Sequence, residues 1–181
     1  MIYRELGKTG IKVSGIVYGG IVSTMGDYAG YTYDKDGQKA SDEYVEYALE
    51  SGINYFDVAP KYGDAQQRLG DSFGEKRKQI YLACKTGHRD YDSAARDFER
   101  SLKLLHTDYF DVYQLHALGN GDDVDRAFDD HGVMRLMEEI KKSGAAKNLG
   151  ITAHSESAAI KAMEMFDFDV KDSLFMPERD R

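Results

Sequence analysis

The sequence contains little cysteine and no long apolar run. Its single cysteine among 181 residues, Cys84, cannot form an internal disulfide, and we therefore expect the reducing environment of the cytoplasm. No segment approaches the roughly 20 consecutive apolar residues that a membrane-spanning helix needs. The first residues, M-I-Y-R-E-L-G-K, also lack the apolar region of a signal peptide. These features predict a cytoplasmic location and no membrane partner.

Positive charge is also scarce. The chain has 24 lysines and arginines against 32 aspartates and glutamates, which gives a net charge of −8. An acidic balance of this kind argues against a nucleic-acid partner and against binding to an anionic membrane surface. The content of 41% hydrophobic and 31% charged residues is that of an ordinary globular protein. The length suits one domain with a sizeable core, and we predict a single domain over residues 1–181.

Strand-like and helix-like patterns alternate along the chain. Residues 3–6 and 11–14 flank K-T-G, which predicts a short β-hairpin. Apolar runs predict six further strands at residues 15–20, 53–59, 79–85, 108–116, 148–153 and 172–176. Five helices are predicted between them. The first three have N-caps at Ser41, Asp64 and Ser93. The fourth carries Val133 and ends at Gly144, and the last covers residues 155–166.

This alternation predicts an α/β protein with a parallel sheet covered by helices. A doubly wound dinucleotide-binding sheet normally has G-x-G-x-x-G after its first strand, and Y-G-G-I-V-S-T-M-G does not match. A (β/α)₈ barrel places catalytic residues at the carboxyl ends of several strands. Asp57, Lys85 and His116 occupy such ends, and Tyr62 follows Asp57 in the next loop. The sequence therefore favours the barrel.

Five segments carry a resemblance to a known family. They are R-E-L-G-K-T-G-I-K-V-S, N-Y-F-D-V-A-P-K-Y-G, Y-L-A-C-K-T, H-T-D-Y-F-D-V-Y-Q-L-H and L-G-I-T-A-H-S. In this order and spacing the chain resembles the aldo-keto reductase family, from residue 1 to about residue 175. The resemblance implies NADPH-dependent reduction of aldehydes and ketones. It implies a catalytic tetrad of Asp57, Tyr62, Lys85 and His116, and cofactor contacts from Gly20, Thr152 and His154.

The tetrad makes chemical sense for carbonyl reduction. Hydride transfer builds negative charge on the carbonyl oxygen, and a free tyrosine with a pKa of about 10 is a poor proton donor at neutral pH. A nearby Lys85 ammonium would favour the phenolate of Tyr62 and ease loss of its proton. Asp57 would hold the ammonium in place, and His116 would hydrogen-bond the carbonyl oxygen. This chemistry requires no metal and no covalent intermediate.

Each of these residues also has a structural interpretation. Asp57 and Lys85 taken alone suit a structural ion pair, Tyr62 suits a loop anchor, and His116 suits a capping group. The end of the fifth strand, with Thr152 and His154, equally suits capping of the next helix by Ser155. Cys84 is predicted to be a packed thiol, although its nearness to Lys85 could lower its pKa. The acidic run 121–130 is predicted to be a solvated loop.

The sequence departs from a complete barrel after its sixth strand. A (β/α)₈ barrel takes about 250 residues, and the loops after strands seven and eight commonly bind phosphate. The ending M-P-E-R-D-R does not resemble the family's continuation. Two hypotheses follow: a reductase that a complementary C-terminal segment completes, or an inactive partial barrel that acts as an interaction module. Both predict open sheet edges, self-association or binding of such a segment, and weak NADPH binding by these 181 residues alone.

Overall fold

The computed structural model describes residues 1–26 and 33–173. Its strands are β1 Tyr3–Glu5, β2 Lys12–Ser14, β3 Tyr18–Gly19, β4 Tyr55–Asp57, β5 Tyr81–Thr86, β6 Phe110–Leu118, β7 Ala146–Ala153 and β8 Val170–Ser173. Its α-helices are α1 Lys35–Glu50, α2 Ala65–Phe73, α3 Tyr91–Leu104, α4 Gly121–Phe128, α5 Val133–Ser143 and α6 Glu156–Met165. Two 3₁₀ helices cover Gly20–Thr24 and Gly74–Gln79.

Two sheets make up the β-structure. Strands β1 and β2 form the predicted antiparallel hairpin, with Tyr3 opposite Ser14. The other sheet has six parallel strands in the order β3-β4-β5-β6-β7-β8, so each strand pairs with its neighbour in sequence. Helices connect these strands, as parallel crossovers require. The predicted α/β class, the parallel sheet and the N-terminal hairpin are confirmed.

The two faces of the sheet have different surroundings. The outer face packs on the helices in one large apolar cluster, to which Phe56, Leu82 and Tyr113 contribute. The inner face holds a smaller cluster that includes Tyr55 and Ala83 and is covered by the hairpin. Because side chains alternate between faces along a strand, residues two positions further along β4 and β5, and four positions beyond Val112 on β6, lie on the inner face as well. This alternation carries Asp57, Lys85 and His116 to one side of the sheet.

Two helices begin earlier than predicted. Helix α1 starts at Lys35, where the carboxylate of Asp34 accepts a hydrogen bond of 2.6 Å from the Gly37 amide. Ser41, the predicted cap, lies buried inside this helix against Ser72 of α2. Helix α3 starts at Tyr91, and its cap is Asp90, three residues before the predicted cap Ser93. In both cases an aspartate upstream satisfies the free amides before the serine can do so.

The prediction of a solvated loop at 121–130 is wrong. Asn120 caps helix α4 by accepting from the Asp123 amide at 2.9 Å, and Val124 and Ala127 are buried. Two helices, α4 and α5, therefore lie between β6 and β7, and the strict one-helix alternation is also wrong. The acidic side chains on the outer face of α4 hid its short apolar stripe.

Strand boundaries differ at both ends of the parallel sheet. Only Tyr18–Gly19 of the predicted strand 15–20 pairs with β4, and the chain turns into a 3₁₀ helix at Gly20. Strand β8 begins at Val170, ahead of the predicted 172–176, and residues 174–176 of that prediction lie outside the described residues. None of the helices in the described ranges is long and apolar enough to cross a membrane.

Candidate active site

A cavity of about 210 Å³ opens at the carboxyl ends of strands β4 to β7. Its lining consists of Asp57, Tyr62, Lys85, His116, Thr152, Ala153 and His154. The structure therefore brings all four residues of the predicted tetrad to one place, together with two of the three predicted cofactor contacts. The parallel register explains this convergence, because it aligns the carboxyl ends of neighbouring strands at one edge.

Lys85 and Asp57 form an ion pair at the bottom of the cavity. The ammonium lies 2.5 Å from each of the two carboxylate oxygens of Asp57. Lys85 is only 3% exposed, whereas the side chain of Asp57 is 25% exposed. An ammonium buried to this degree needs a partner that compensates for lost hydration. Asp57 therefore compensates the Lys85 charge and fixes the direction in which the side chain points.

Tyr62 lies on the loop that follows β4 and lines the same cavity. A tight turn, closed by a hydrogen bond of 3.1 Å from the Tyr62 amide to the Ala59 carbonyl, orients the residue. Lys85 Nζ lies 5.5 Å from the centre of the Tyr62 ring. The imidazole of His116 meets the same ring edge-on, with 6.1 Å between the two ring centres. Tyr62 is thus in contact with both a cation and an imidazole.

His116 is held in its neutral form. Burial lowers the pKa of His116 from 6.5 to about 4, and electrostatic contributions from Lys85, Lys61, Arg89 and His154 act in the same direction. A neutral imidazole carries one N–H donor and one acceptor nitrogen. At neutral pH the ring can therefore donate a hydrogen bond to an oxygen in the cavity without carrying a charge of its own.

The main chain around His116 is irregular. Leu115 pairs with Ile151 and Leu118 pairs with Ala153, so β6 has one residue more than β7 between these pairs. The extra residue creates a β-bulge, and Ala117 has a left-handed φ of 56°. Bulges of this kind turn a side chain to a new direction and are common beside active sites. This bulge lies directly beside His116, whose imidazole lines the cavity.

The three predicted cofactor residues have different surroundings. Thr152 accepts a hydrogen bond of 2.7 Å from the Ala117 amide, and His154 lies exposed at the rim. The structure does not bring Gly20 into the cavity lining. A Cβ at Gly20 would lie 2.9 Å from the Asp57 carbonyl oxygen and 3.0 Å from Leu69. Close packing against β4 and α2 accounts for this glycine.

Cys84 and a second depression lie away from this chemistry. Burial raises the pKa of the Cys84 thiol to about 12, which outweighs the nearby Lys85 charge. The packed-thiol interpretation therefore agrees with the structure, and the lowered pKa does not.

A larger depression of about 580 Å³ lies at the opposite end of the sheet. Its buried cation, Arg77, is bound to Asp111 and to the Tyr109 carbonyl, which indicates a structural role.

Sequence reasoning missed two residues beside the cavity. Arg89 is 6% exposed, and its guanidinium donates a hydrogen bond of 3.0 Å to the carbonyl oxygen of His116. Asp123, on the helix that was predicted to be a loop, pairs with Arg89 at 3.2 Å. Arginine in a polar G-H-R-D loop resembles a surface residue, so the sequence contains no signal that distinguishes it. Across residues 1–26 and 33–173, no three histidine, cysteine, aspartate or glutamate side chains are grouped so that they could hold a metal ion.

Comparisons with known proteins agree with this architecture. The model of the Aldo/keto reductase family matches residues 16–173. The chain is 30% identical to aldo-keto reductase YhdN of Bacillus subtilis (strain 168), over 92% of this chain and 50% of that protein. It is 28% identical to L-galactose dehydrogenase of Arabidopsis thaliana, over 82% of this chain and 47% of that protein. The holo form of aldo-keto reductase AKR11C1 from Bacillus halodurans superposes with a TM-score of 0.77 at 24% identity, covering 96% of this chain and 57% of that one.

The parallel βα order, the cavity at the carboxyl ends and this superposition define a protein of the (β/α)₈-barrel class, represented through its sixth strand. Within that class the match to the family model covers most of the chain. The chain belongs to the aldo/keto reductase family, an oxidoreductase family. It spans about half the length of the relatives that it matches.

Proposed function

We propose that this chain carries the proton-donating site of a reductase that uses NADPH to reduce aldehydes or ketones. The observation that supports this most strongly is the arrangement of Lys85, Asp57 and His116 around Tyr62 in one cavity. A buried cation, its counter-ion, a phenol and a neutral imidazole are the groups that such a reaction needs. A purely structural ion pair would not require a phenol and an imidazole beside it.

The proton transfer follows from these contacts. The Tyr62 O–H bond breaks as the proton passes to the substrate oxygen, where a new O–H bond forms. Lys85 stabilises the phenolate that remains, because an adjacent positive charge favours the ionised form of a phenol. His116 donates a hydrogen bond to the same oxygen and reduces the cost of its developing charge. Asp57 contributes by orienting Lys85, and the product is an alcohol.

The residues present fit the nicotinamide end of the cofactor. When bound, NADPH supplies the hydride that adds to the carbonyl carbon. Thr152 and His154 offer a hydroxyl and an imidazole at the cavity edge, and these would hold the carboxamide of the nicotinamide. At about 210 Å³ the cavity accepts a ring and a small carbonyl group. Sites for larger ligands commonly measure about 300–1,000 Å³, so the phosphates and the adenosine must bind elsewhere.

A second candidate function is supported by the open sheet. Strand β3 pairs only with β4 in the described part of the chain, and Ile16 and Val17 beside it are 60% and 46% exposed. An unpaired edge with apolar neighbours is suited to association with another chain. In this alternative, the partial barrel acts as an inactive interaction module that retains the four side chains.

One experiment separates the two functions. The chain is fused to the C-terminal part of YhdN, which supplies the remaining βα units, and oxidation of NADPH by a simple aldehyde is followed. We expect turnover in the fusion, negligible turnover in the 181-residue chain, and a loss of at least about 100-fold in Lys85→Met. Lys39→Met, a change at an exposed lysine of α1, is the matched control. A fusion that binds NADPH but does not turn over would support the inactive module.

A further inference from the structure

Arg89 connects the strand that carries Lys85 to the strand that carries His116. It lies four residues after Lys85, in the loop between β5 and α3, and is buried. Nη2 donates to the carbonyl oxygens of His116 at 3.0 Å and Ala117 at 3.3 Å. The same nitrogen lies 3.2 Å from Asp123 Oδ2, and Nη1 donates to the Gly87 carbonyl at 3.3 Å. A single guanidinium therefore contacts both carbonyls of the bulge.

These contacts act on a strained piece of main chain. Ala117 has a φ of 56°, a conformation that residues with a Cβ rarely adopt unless the surroundings hold them there. Arg89 donates hydrogen bonds to the carbonyls of His116 and Ala117, and the Ala117 amide donates to the Thr152 hydroxyl at 2.7 Å. The left-handed conformation is thus held by hydrogen bonds to Arg89, which follows β5, and to Thr152 of β7.

Arg89 is itself held rigidly. Its main-chain carbonyl accepts a hydrogen bond of 2.9 Å from the Val133 amide, and the Tyr91 amide donates to His131 at 2.9 Å. Asp123 provides the negative charge that a buried guanidinium needs, and it also accepts from the Gly119 amide. Burial opposes ionisation of Asp123, but the Gly119 and Arg89 hydrogen bonds outweigh it and lower its pKa. Asp123 therefore remains negatively charged over the neutral pH range.

We propose that Arg89 is a positioning residue, which holds the bulge of β6 in its left-handed form and thereby sets the direction of the His116 imidazole in the cavity. The catalytic consequence rests on the proposed carbonyl reduction. The conformational claim does not, because it concerns only the geometry of the bulge. Removal of Arg89 takes away both hydrogen bonds to the bulge carbonyls and leaves only the Thr152 bond to the Ala117 amide, and the bulge relaxes toward regular strand.

The test uses NMR on the 181-residue chain and needs no turnover. The backbone shifts of His116 and Ala117 report the bulge, and the imidazole shifts of His116 give its titration curve. Arg89→Lys keeps the charge but loses the planar guanidinium, in which Nη1 binds the Gly87 carbonyl while Nη2 binds both bulge carbonyls. We expect it to move the backbone shifts and to change the His116 titration less than Arg89→Met does, because the positive charge is kept. Arg89→Met should move the backbone shifts and also raise the pH at which His116 titrates. Arg126→Met removes an exposed arginine of α4 and should change neither.

A second change tests the strain directly. Glycine adopts the left-handed conformation without the clash that alanine suffers. We therefore expect Ala117→Gly, added to Arg89→Lys, to return the His116 shifts most of the way to those of the parent. A merely structural role for Arg89 predicts no such rescue. If Arg89→Met does not fold, Arg89→Lys with and without Ala117→Gly decides the question. Parent-like shifts in Arg89→Lys, or absence of rescue by Ala117→Gly, would overturn the proposal.

These outcomes are separable from those of the proposed function. Loss of the bulge in Arg89→Lys supports the positioning role even if the fusion with YhdN reduces no aldehyde. Where the fusion is active, Arg89→Lys should lower kcat at least 10-fold and leave the KM for NADPH within 2-fold of the parent value. An unchanged kcat in a variant whose bulge has relaxed would contradict the link between the bulge and His116 function.

Discussion

The ammonium of Lys85 lies 2.5 Å from both carboxylate oxygens of Asp57, across the β4–β5 pair. The strand register places Asp57 opposite Ala83, so Lys85 extends from the next inward-facing position of β5. The pair therefore depends on parallel strands in this register. A shift of one residue would turn Lys85 to the outer, helix-covered face. The ion pair and the fold are consistent with one another.

Breaking this pair should reduce stability. Asp57→Asn leaves the Lys85 ammonium buried without a counter-ion, and removing one partner of a buried pair costs about 3–5 kcal/mol. We expect the lower end of that range, because the side chain of Asp57 is 25% exposed. Urea denaturation gives the free energy of unfolding. Glu43→Gln, which removes one partner of the exposed Lys39–Glu43 pair, should cost less than about 1 kcal/mol. Equal effects of the two changes would contradict the burial argument.

His116 should make stability dependent on pH. Folding lowers its pKa from 6.5 to about 4, so below pH 6.5 the unfolded chain binds a proton that the folded chain does not. The contribution of His116 to the free energy of unfolding is therefore fully present above pH 6.5 and is lost as the pH decreases toward 4. Carboxylates also titrate near the lower end, so the parent is compared with His116→Gln in urea denaturation at each pH. The variant should show a shallower decline between pH 6.5 and 5, and identical slopes would count against a depressed pKa.

Gly70 should be intolerant of alanine. In most helix interiors Gly→Ala stabilises by about 1 kcal/mol, and Gly70 lies within α2. A Cβ at this position would lie 2.0 Å from the Leu104 carbonyl oxygen at the end of α3. The helices would have to separate, and we expect a loss of about 2 kcal/mol or more. Gly19→Ala, where a Cβ meets nothing within 4 Å, is the control. Thermal unfolding measures both, and a stabilised Gly70→Ala would contradict the observed packing.

The edge at β3 should cause the 181-residue chain to self-associate. Ile16 and Val17 are exposed beside a strand that has one partner in the described part of the chain. Sedimentation velocity over a range of concentrations should show species larger than a monomer. Ile16→Lys with Val17→Lys should shift the distribution toward monomer, because charged edges resist pairing. Tyr44→Lys on α1 should not. A parent chain that remains monomeric at all concentrations would refute this prediction.

Much of this architecture was predictable from sequence because strands and strand ends have clear local signals. Asp57, Lys85 and His116 follow apolar runs, and parallel packing brings such ends together without further information. Helix α4 was missed because Asp122, Asp123 and Asp125 outnumber its buried Val124 and Ala127. Arg89 and the left-handed Ala117 were also missed. Both depend on contacts between residues distant in the chain, and neither residue type indicates them.

The most direct test of the central claim is Tyr62→Phe in the fusion with YhdN. This change removes one hydroxyl and leaves the ring that contacts Lys85 and His116. Tyr47→Phe, at an exposed tyrosine of α1, is the control. NADPH affinity is measured by nicotinamide fluorescence, and turnover by oxidation of NADPH with a simple aldehyde. We predict that Tyr62→Phe lowers kcat by about 100-fold or more with an unchanged dissociation constant for NADPH. A Tyr62→Phe variant that turns over as fast as Tyr47→Phe would contradict the assignment of Tyr62 as the proton donor.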